Sequence, residues 1–264
     1  MKLTVLMDNN TYIDQYYLGE PAVSYYIEDG DCRLLFDAGY SDAFLKNAGA
    51  MGIDLTTLTH IVLSHGHNDH TRGLLFLPSS DATLIAHPGC FLPKEYEGED
   101  IGAPFNAEEA AKRWNYNPCK GVYPITEHLL FLGEIPRMTG FENQHPIGLY
   151  EEKGQKQPDF LPDDTGLVYR TEKGLFLITG CSHSGICNMV QYAKQVCGDD
   201  RILGILGGFH LLEDNDQLDE TVRHLKDCKP EVLYPCHCVC LAGKAKMMAE
   251  MPVRDVGVGM TLEI

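Results

Sequence analysis

Apolar positions along this chain fall into strand-like and helix-like runs separated by glycine and polar turns. Residues 2–7, 22–28 and 32–37 alternate or run apolar with the period of strands, and Asp29-Gly30-Asp31 supplies the turn between the last two. Residues 41–49 read as a helix and 60–64 as a buried strand. A helix is predicted from about Thr71, with Leu74, Leu75 and Leu77 as its apolar contacts, and residues 82–87 form a further strand. From about Phe91 to Asp163 the pattern weakens. Prolines at 93, 104, 118, 124, 136, 146, 158 and 162 break long helices and central strands there. A short helix at 106–114 carries Trp114, the only tryptophan, and strand-like pieces occur near 129–133 and 147–151.

Regular alternation then returns. Strands are predicted at 166–171, 174–179, 202–206 and 231–235, helices at 185–196, 216–227 and 241–250, and a last short strand near 259–264. Two β-rich halves, each with helices, predict a layered α/β sandwich. The expectation is one domain over residues 1–264, with approximately 91–163 as an insertion that covers a cleft and selects substrate.

The polar residues of interest cluster where strands end. Ser64-His65-Gly66-His67-Asn68-Asp69-His70 follows the apolar run Ile61-Val62-Leu63. In an extended segment His65 and His67 project to the same side, and Asp69 and His70 fall where the next helix begins. Neutral imidazoles and a carboxylate suit zinc, iron, manganese or nickel. Three later strand ends carry similar residues. They are Thr179-Gly180-Cys181-Ser182-His183-Ser184-Gly185, Gly207-Gly208-Phe209-His210-Leu211 and Tyr234-Pro235-Cys236-His237-Cys238-Val239-Cys240. Functional groups of open α/β sheets gather beyond strand ends. A lone histidine at such a place is more often a hydrogen-bonded structural residue, but beside a metal-type loop His183, His210 and His237 become ligand candidates. His60, His87, His128, His145 and His224 lack that context.

Two features stay open on the residues alone. Asp37 ends the third strand before a glycine turn, as a turn aspartate or as a contact to a metal or its ligands. Cys236, Cys238 and Cys240 are either thiols flanking His237 or a thiolate ligand, redox switch or accessory metal site. The C-x-x-C pairs usual in closed zinc sites are absent.

Composition narrows the classes. At 44% hydrophobic residues the 264-residue chain can bury a sizeable core. It has no apolar run of ~18 residues, which argues against a membrane span. A net charge of −17 argues against non-specific nucleic-acid binding, which needs a basic face. The first residues turn acidic at once and lack the apolar core of a signal peptide, so the expected location is cytoplasmic. In that setting the ten cysteines read as thiols or metal ligands rather than disulfides.

The run His65-Gly66-His67-Asn68-Asp69-His70 after a strand, with Asp37 upstream and strand-end histidines downstream, resembles the metallo-β-lactamase superfamily. The nearest resemblance is to the dihydropterin–ribofuranosylaminobenzene phosphate synthase-like branch, over residues 63–74, 180–185, 207–211 and 235–238. It implies an α/β fold, an αββα metallo-β-lactamase sandwich, with a binuclear metal site along one sheet edge. In such sites His65 and His67 would serve one metal, and Asp69 and His70 the other. His183 would complete the first and His237 the second, with Cys181 as the main competitor. His210 would be a ligand or would polarise the leaving group. The branch commonly reads Thr-Gly-Gly-Leu after the metal loop, and here Arg72 replaces the first glycine, as a surface charge or as a group that holds an anionic substrate. A Glu-His-Gly-Leu-Ser-type segment of the branch reads Glu20-Pro21-Ala22-Val23-Ser24 here, without its histidine. The Cys-His-Cys-Thr-Gly-type motif has become Cys236-His237-Cys238-Val239-Cys240.

The leading expectation is a metal-dependent hydrolase that uses a binuclear metal-bound hydroxide on a small anionic ester, a phosphodiester or a pterin-linked phosphate. The cofactors would be two divalent ions, zinc first, with iron, manganese or nickel as alternatives. Asp69 and His210 are the catalytic candidates and Arg72 the substrate-binding one. The expected partner is a small anionic molecule, with no nucleic acid and no membrane. One alternative is a diiron-type oxidoreductase on the same fold, though such relatives place a glutamate where His67 stands and carry a flavin domain. Another is a metal- or redox-sensing binding protein that uses the 236–240 cysteines.

Overall fold

The computed structural model describes residues 1–264. In chain order the first elements are β1 (Lys2–Met7), β2 (Ser24–Asp29), β3 (Cys32–Phe36), α1 (Ala43–Ala50), β4 (His60–Val62), α2 (Asn68–Thr71) and β5 (Thr83–Ala86). There follow β6 (Lys94–Tyr96), β7 (Glu99–Asp100), α3 (Ala107–Arg113), β8 (Asn115–Pro118), β9 (Tyr123–Pro124), β10 (Leu129–Phe131), β11 (Leu149–Glu152) and β12 (Gln155–Pro158). The last are β13 (Gly166–Thr171), β14 (Gly174–Thr179), α4 (Ile186–Cys197), β15 (Ile202–Gly207), α5 (Asp216–Cys228), β16 (Val232–Pro235), α6 (Leu241–Glu250) and β17 (Thr261–Glu263). No helix is long and apolar enough to cross a membrane.

The chain forms two compact units. The first comprises Met1–Lys120, Pro146–Asp159 and Gly257–Ile264; the second comprises Gly121–His145 and Phe160–Val256. The first unit holds a seven-stranded sheet in the order β17-β1-β2-β3-β4-β5-β8. Its β17, β1, β2 and β3 pair antiparallel, and β3, β4, β5 and β8 pair parallel. Parallel strands end on the same side, so Asp37 and the 64–70 loop, which follow β3 and β4, emerge together. Their core gathers Leu6, Leu35, Phe44, Ile61, Leu63, Leu74 and Leu84, all without exposed surface.

The second unit holds a six-stranded sheet in the order β16-β15-β14-β13-β10-β9. Here β14, β15 and β16 run parallel, so the loops with Cys181, His210 and His237 leave one edge together. Every residue of β14 is buried, as a central strand covered on both faces requires. Helix α5 shows why its sequence folds as it does. Asn215 accepts the Leu218 N–H at 3.0 Å as N-cap, Asp216 and Asp219 sit in the positive first turn, and Leu218, Thr221, Val222 and Leu225 form the buried stripe. Burying Leu218 and Leu225 completely contributes about 1.5–3 kcal/mol each.

Two stretches differ from the pattern-based expectation. The helix expected from about Thr71 begins earlier as α2 and tightens at once into a 3₁₀ turn, Arg72–Leu75. The Gly73 N–H leaves the helical ladder to donate to Gly39 O at 2.9 Å, so the α-helix does not propagate. The proline-rich stretch is also more regular than its sequence suggests. Strands β12, β11, β6 and β7 form a separate antiparallel sheet in the first unit, while β9 and β10 belong to the second unit. Pro124 and Pro158 lie in the edge strands β9 and β12, where a missing N–H is tolerated.

Candidate metal centre

In the first unit the 64–70 loop is built on Asp37. The Leu63 N–H still pairs with Ile85 O at 3.1 Å, and the next donor, Ser64 N–H, turns to Asp37 Oδ1 at 2.8 Å. Ser64 Oγ–H donates to Asp37 Oδ2 at 2.7 Å, and the same oxygen lies 2.7 Å from His70 Nδ1. Asp37, Ser64, His65 and His70 have no exposed surface. Asp37 therefore contacts a ligand-type side chain and fixes its ring; it is more than a turn residue. His67 caps α2, its carbonyl accepting from His70 N–H and Thr71 N–H at 3.1 Å each. The His65 and His67 rings meet edge-on with centroids 4.6 Å apart, and those of His65 and His70 are 4.2 Å apart. Burial disfavours a charge on His70, but Asp69 and Asp37 outweigh it and raise its pKa well above the usual imidazole range. Gly66 is required by contact, because a Cβ there would lie 2.3 Å from Cys90 O.

In the second unit three loops cross at the sheet edge. Gly208 N–H donates to Gly180 O at 2.9 Å, and Ser182 Oγ–H donates to Gly208 O at 2.7 Å. The His183 and His210 rings approach to 4.3 Å between centroids. His210 N–H donates to Cys238 Sγ at 3.3 Å, and Leu211 N–H to Cys238 O at 3.1 Å. Ser182, His210 and His237 all have left-handed backbones, with φ of 58°, 46° and 51°, as does Asp37 in the first unit at 57°. Each such conformation costs on the order of 1–3 kcal/mol for a residue with a side chain, and persists only where surrounding contacts enforce it. Four of the ten non-glycine residues with such backbones lie at the strand ends that carry the histidines and Asp37.

The three cysteines of the 236–240 segment have separate surroundings. Cys236 is fully buried, Cys238 accepts from His210 N–H, and Cys240 caps α6 by accepting from Gly243 N–H at 3.3 Å. Arg72 lies 4.5 Å above the Tyr40 ring and donates to Tyr40 Oη. The glycine following it has no such freedom, since a Cβ on Gly73 would lie 1.9 Å from Ala38 O. Position 72 is exposed and accepts an arginine; position 73 does not.

Sequence reasoning missed the groups that hold the 181–185 loop. Asp164 Oδ2 accepts Ser184 N–H at 2.8 Å and Ser184 Oγ–H at 2.6 Å. Asn143 Nδ2 donates to His183 O at 2.8 Å, and Asn188 Nδ2 to Ser184 O at 2.9 Å. Glu142 accepts the Cys187 and Asn188 N–H groups at 2.9 Å each, at the start of α4. For Asp164 the available signal was an aspartate just before a buried strand, unlike Asp37, which ends one before a glycine turn; Asn143, Asn188 and Glu142 carried no signal.

Two groups of side chains each offer ligand atoms within 4.8 Å of one another: His65, His67 and His183, and Asp69, His70, Cys181 and His237. Three imidazoles, or two imidazoles with a carboxylate and a thiol, form a nitrogen, oxygen and sulfur donor set that fits a divalent transition metal such as zinc. His210 belongs to neither group.

The sequence profile of the metallo-β-lactamase superfamily matches residues 18–237. This chain belongs to that superfamily. It is 31% identical over 236 residues to the 7,8-dihydropterin-6-methyl-4-(beta-D-ribofuranosyl)-aminobenzene-5'-phosphate synthase of Methanocaldococcus jannaschii, covering 83% of this chain and 79% of that protein. It is 32% identical over 250 residues to an uncharacterised protein of the same organism, covering 93% of each. The crystal structure of Tm1679, a metal-dependent hydrolase of the β-lactamase superfamily, superposes with a TM-score of 0.88 at 29% identity, covering 100% of this chain and 99% of that one. The α/β fold is therefore that of the metallo-β-lactamases, and the chain carries metal-ligand groups of the kind this superfamily uses.

Proposed function

We propose that this protein is a metal-dependent hydrolase of a small anionic ester, holding two divalent ions, zinc foremost. The observation that carries the reading is the pair of ligand groups, His65, His67 and His183, and Asp69, His70, Cys181 and His237. When bound, two such ions supply Lewis acidity and an activated water at neutral pH, so no serine or cysteine nucleophile is needed. The chain's own residues do the rest. Asp37 fixes the His70 ring through its 2.7 Å contact to Nδ1. Asp69, whose Oδ2 lies 3.4 Å from His70 Nε2, is a ligand and a proton acceptor. His210, held by Cys238, donates a proton to the leaving group. Arg72, exposed and braced by Tyr40, binds the anionic group of the substrate.

A phosphodiester or a pterin-linked phosphate is the favoured substrate. The relative named for a dihydropterin-linked phosphate and the guanidinium beside the histidine loop both support a phosphate-bearing molecule. The test is metal analysis of the purified protein coupled to hydrolysis of bis(p-nitrophenyl) phosphate and of phosphomonoester and thioester probes. Turnover should stop on chelation and return with added zinc, and His67→Ala should abolish it. Full activity in chelator, or in His67→Ala, would falsify the reading.

A further inference from the structure

The loop bearing His65 and the loop bearing His183 are each held by a buried aspartate that grips a neighbouring serine. In the first unit Asp37, just after β3, takes the Ser64 N–H and hydroxyl at 2.8 and 2.7 Å, and Ser64 immediately precedes His65. In the second, Asp164, just before β13, takes the Ser184 N–H and hydroxyl at 2.8 and 2.6 Å, and Ser184 immediately follows His183. All four gripping residues, Asp37, Ser64, Asp164 and Ser184, have no exposed surface. We infer that Asp164 is a positioning residue for the metal centre, fixing the His183 loop as Asp37 fixes the loop of His65 and His70.

Three contacts pin the backbone around His183. Asp164 holds the 184 N–H, Asn143 the 183 carbonyl and Asn188 the 184 carbonyl. The two asparagines are neutral and satisfy carbonyls. Asp164 alone brings a carboxylate, and its Oδ1 is buried without a hydrogen bond. Holding a loop needs only an acceptor, and a neutral amide oxygen would serve without the penalty of burying a charge. A carboxylate bound to the residue that follows a ligand histidine adds something an amide does not: negative potential that strengthens the loop's hold on a cation. Groups behind a ligating histidine tune metal affinity, and losing one typically costs about 10–100-fold; Asp164 does so through the backbone and hydroxyl of Ser184 rather than through the imidazole ring. Asp164 thus clamps the second unit's ligand loop through its serine as Asp37 clamps the first, while Asp37 also touches a ligand-type ring, His70 Nδ1, at 2.7 Å.

This inference rests on the proposed metal centre, and the experiment separates the two. Metal-free protein is titrated with Co(II), following the ligand-field absorption, in wild type, Asp164→Asn and Ser184→Ala. Asparagine keeps the shape and one acceptor and removes the buried charge, so at neutral pH metal-free Asp164→Asn should melt no lower than wild type. Its Co(II) affinity should fall by about 10-fold or more, with an altered absorption band. Ser184→Ala, which removes only the hydroxyl contact, should show a smaller loss in the same direction. Co(II) affinity and spectrum unchanged in Asp164→Asn would overturn the positioning role while leaving the metal centre intact. Weakened binding accompanied by an equal loss of metal-free stability in both variants would assign the clamp to folding alone and overturn it too. A wild-type protein that takes up no Co(II) would instead sink the metal centre, and the inference with it.

Discussion

Gly73→Ala is a sharp test of how the metal loop is braced. An added Cβ would sit 1.9 Å from Ala38 O, 2.8 Å from its carbonyl carbon and 3.0 Å from Phe44 Cε1. Nonbonded carbon contacts are comfortable at about 3.5 Å, so the segments must part by more than about 1 Å. Neither side yields easily. Gly73 N–H is tied to Gly39 O at 2.9 Å, and Ala38 N–H to His70 O at 2.8 Å. Overpacking of a close contact costs about 1–3 kcal/mol, and breaking one of these buried hydrogen bonds adds about 1 kcal/mol. The expected loss is therefore about 3 kcal/mol, or roughly 6–12 °C in melting temperature for a chain of this size. The assay is thermal unfolding of metal-free protein followed by circular dichroism. Gly49→Ala is the matched control, because Gly49 lies exposed in α1 with nothing within 4 Å of an added Cβ. That change should stabilise by about 0.5–1 kcal/mol through helix propensity and unfolded-chain entropy. If Gly73→Ala melted within about 2 °C of wild type, the close approach of residues 38 and 73 would not brace the loop.

Other outcomes follow from buried charge. Lys94 Nζ and Asp159 Oδ2 form a 2.6 Å ion pair with side-chain exposures of 2% and 0%. Asp159→Ala should destabilise by about 3–5 kcal/mol in urea unfolding, whereas replacing both residues with apolar ones of similar volume should be close to neutral. Burial lifts the Asp164 carboxyl to about 6 from an ordinary 3.8, against the lowering effect of Ser184. The folded chain then keeps a proton that the unfolded chain releases between about pH 4 and 6. Stability from this group is full below pH 4 and is lost as pH rises to about 6, by roughly 3 kcal/mol. Asp164→Asn should flatten that fall in metal-free protein, and identical pH profiles for the two proteins would contradict it.

Strands and helices with a clean period were legible in the sequence, because their burial repeats locally. The strands at 166–171 and 174–179 and the helix at 241–250 match the structure at both ends. The proline-rich stretch was not legible. Strands β6, β7 and β12 are short, β7 and β12 are exposed along their length, and all three exist through pairing with other strands, as Lys94 of β6 pairs with Tyr150 far along the chain. The α-helix expected after the histidine loop ended early for a similar reason, since Gly39 takes the Gly73 N–H.

The sequence by itself determined the chemistry of the candidate centre: imidazoles, a carboxylate and a thiol at strand ends, with His65, His67, Asp69 and His70 adjacent in one loop. Ligand type is a property of the side chain, and strand ends are written in local periodicity. The tertiary structure alone decided how those side chains are held. Asp164 reaches Ser184 across 20 residues, Asn143 reaches His183 across 40, and Glu142 reaches Asn188 across 46. An acceptor is chosen by the distance left after folding, and no spacing along the chain encodes that distance. The same is true of Gly73, whose need to be glycine comes from the carbonyl of Ala38, a neighbour held there by the Gly73 N–H to Gly39 O and Ala38 N–H to His70 O bonds.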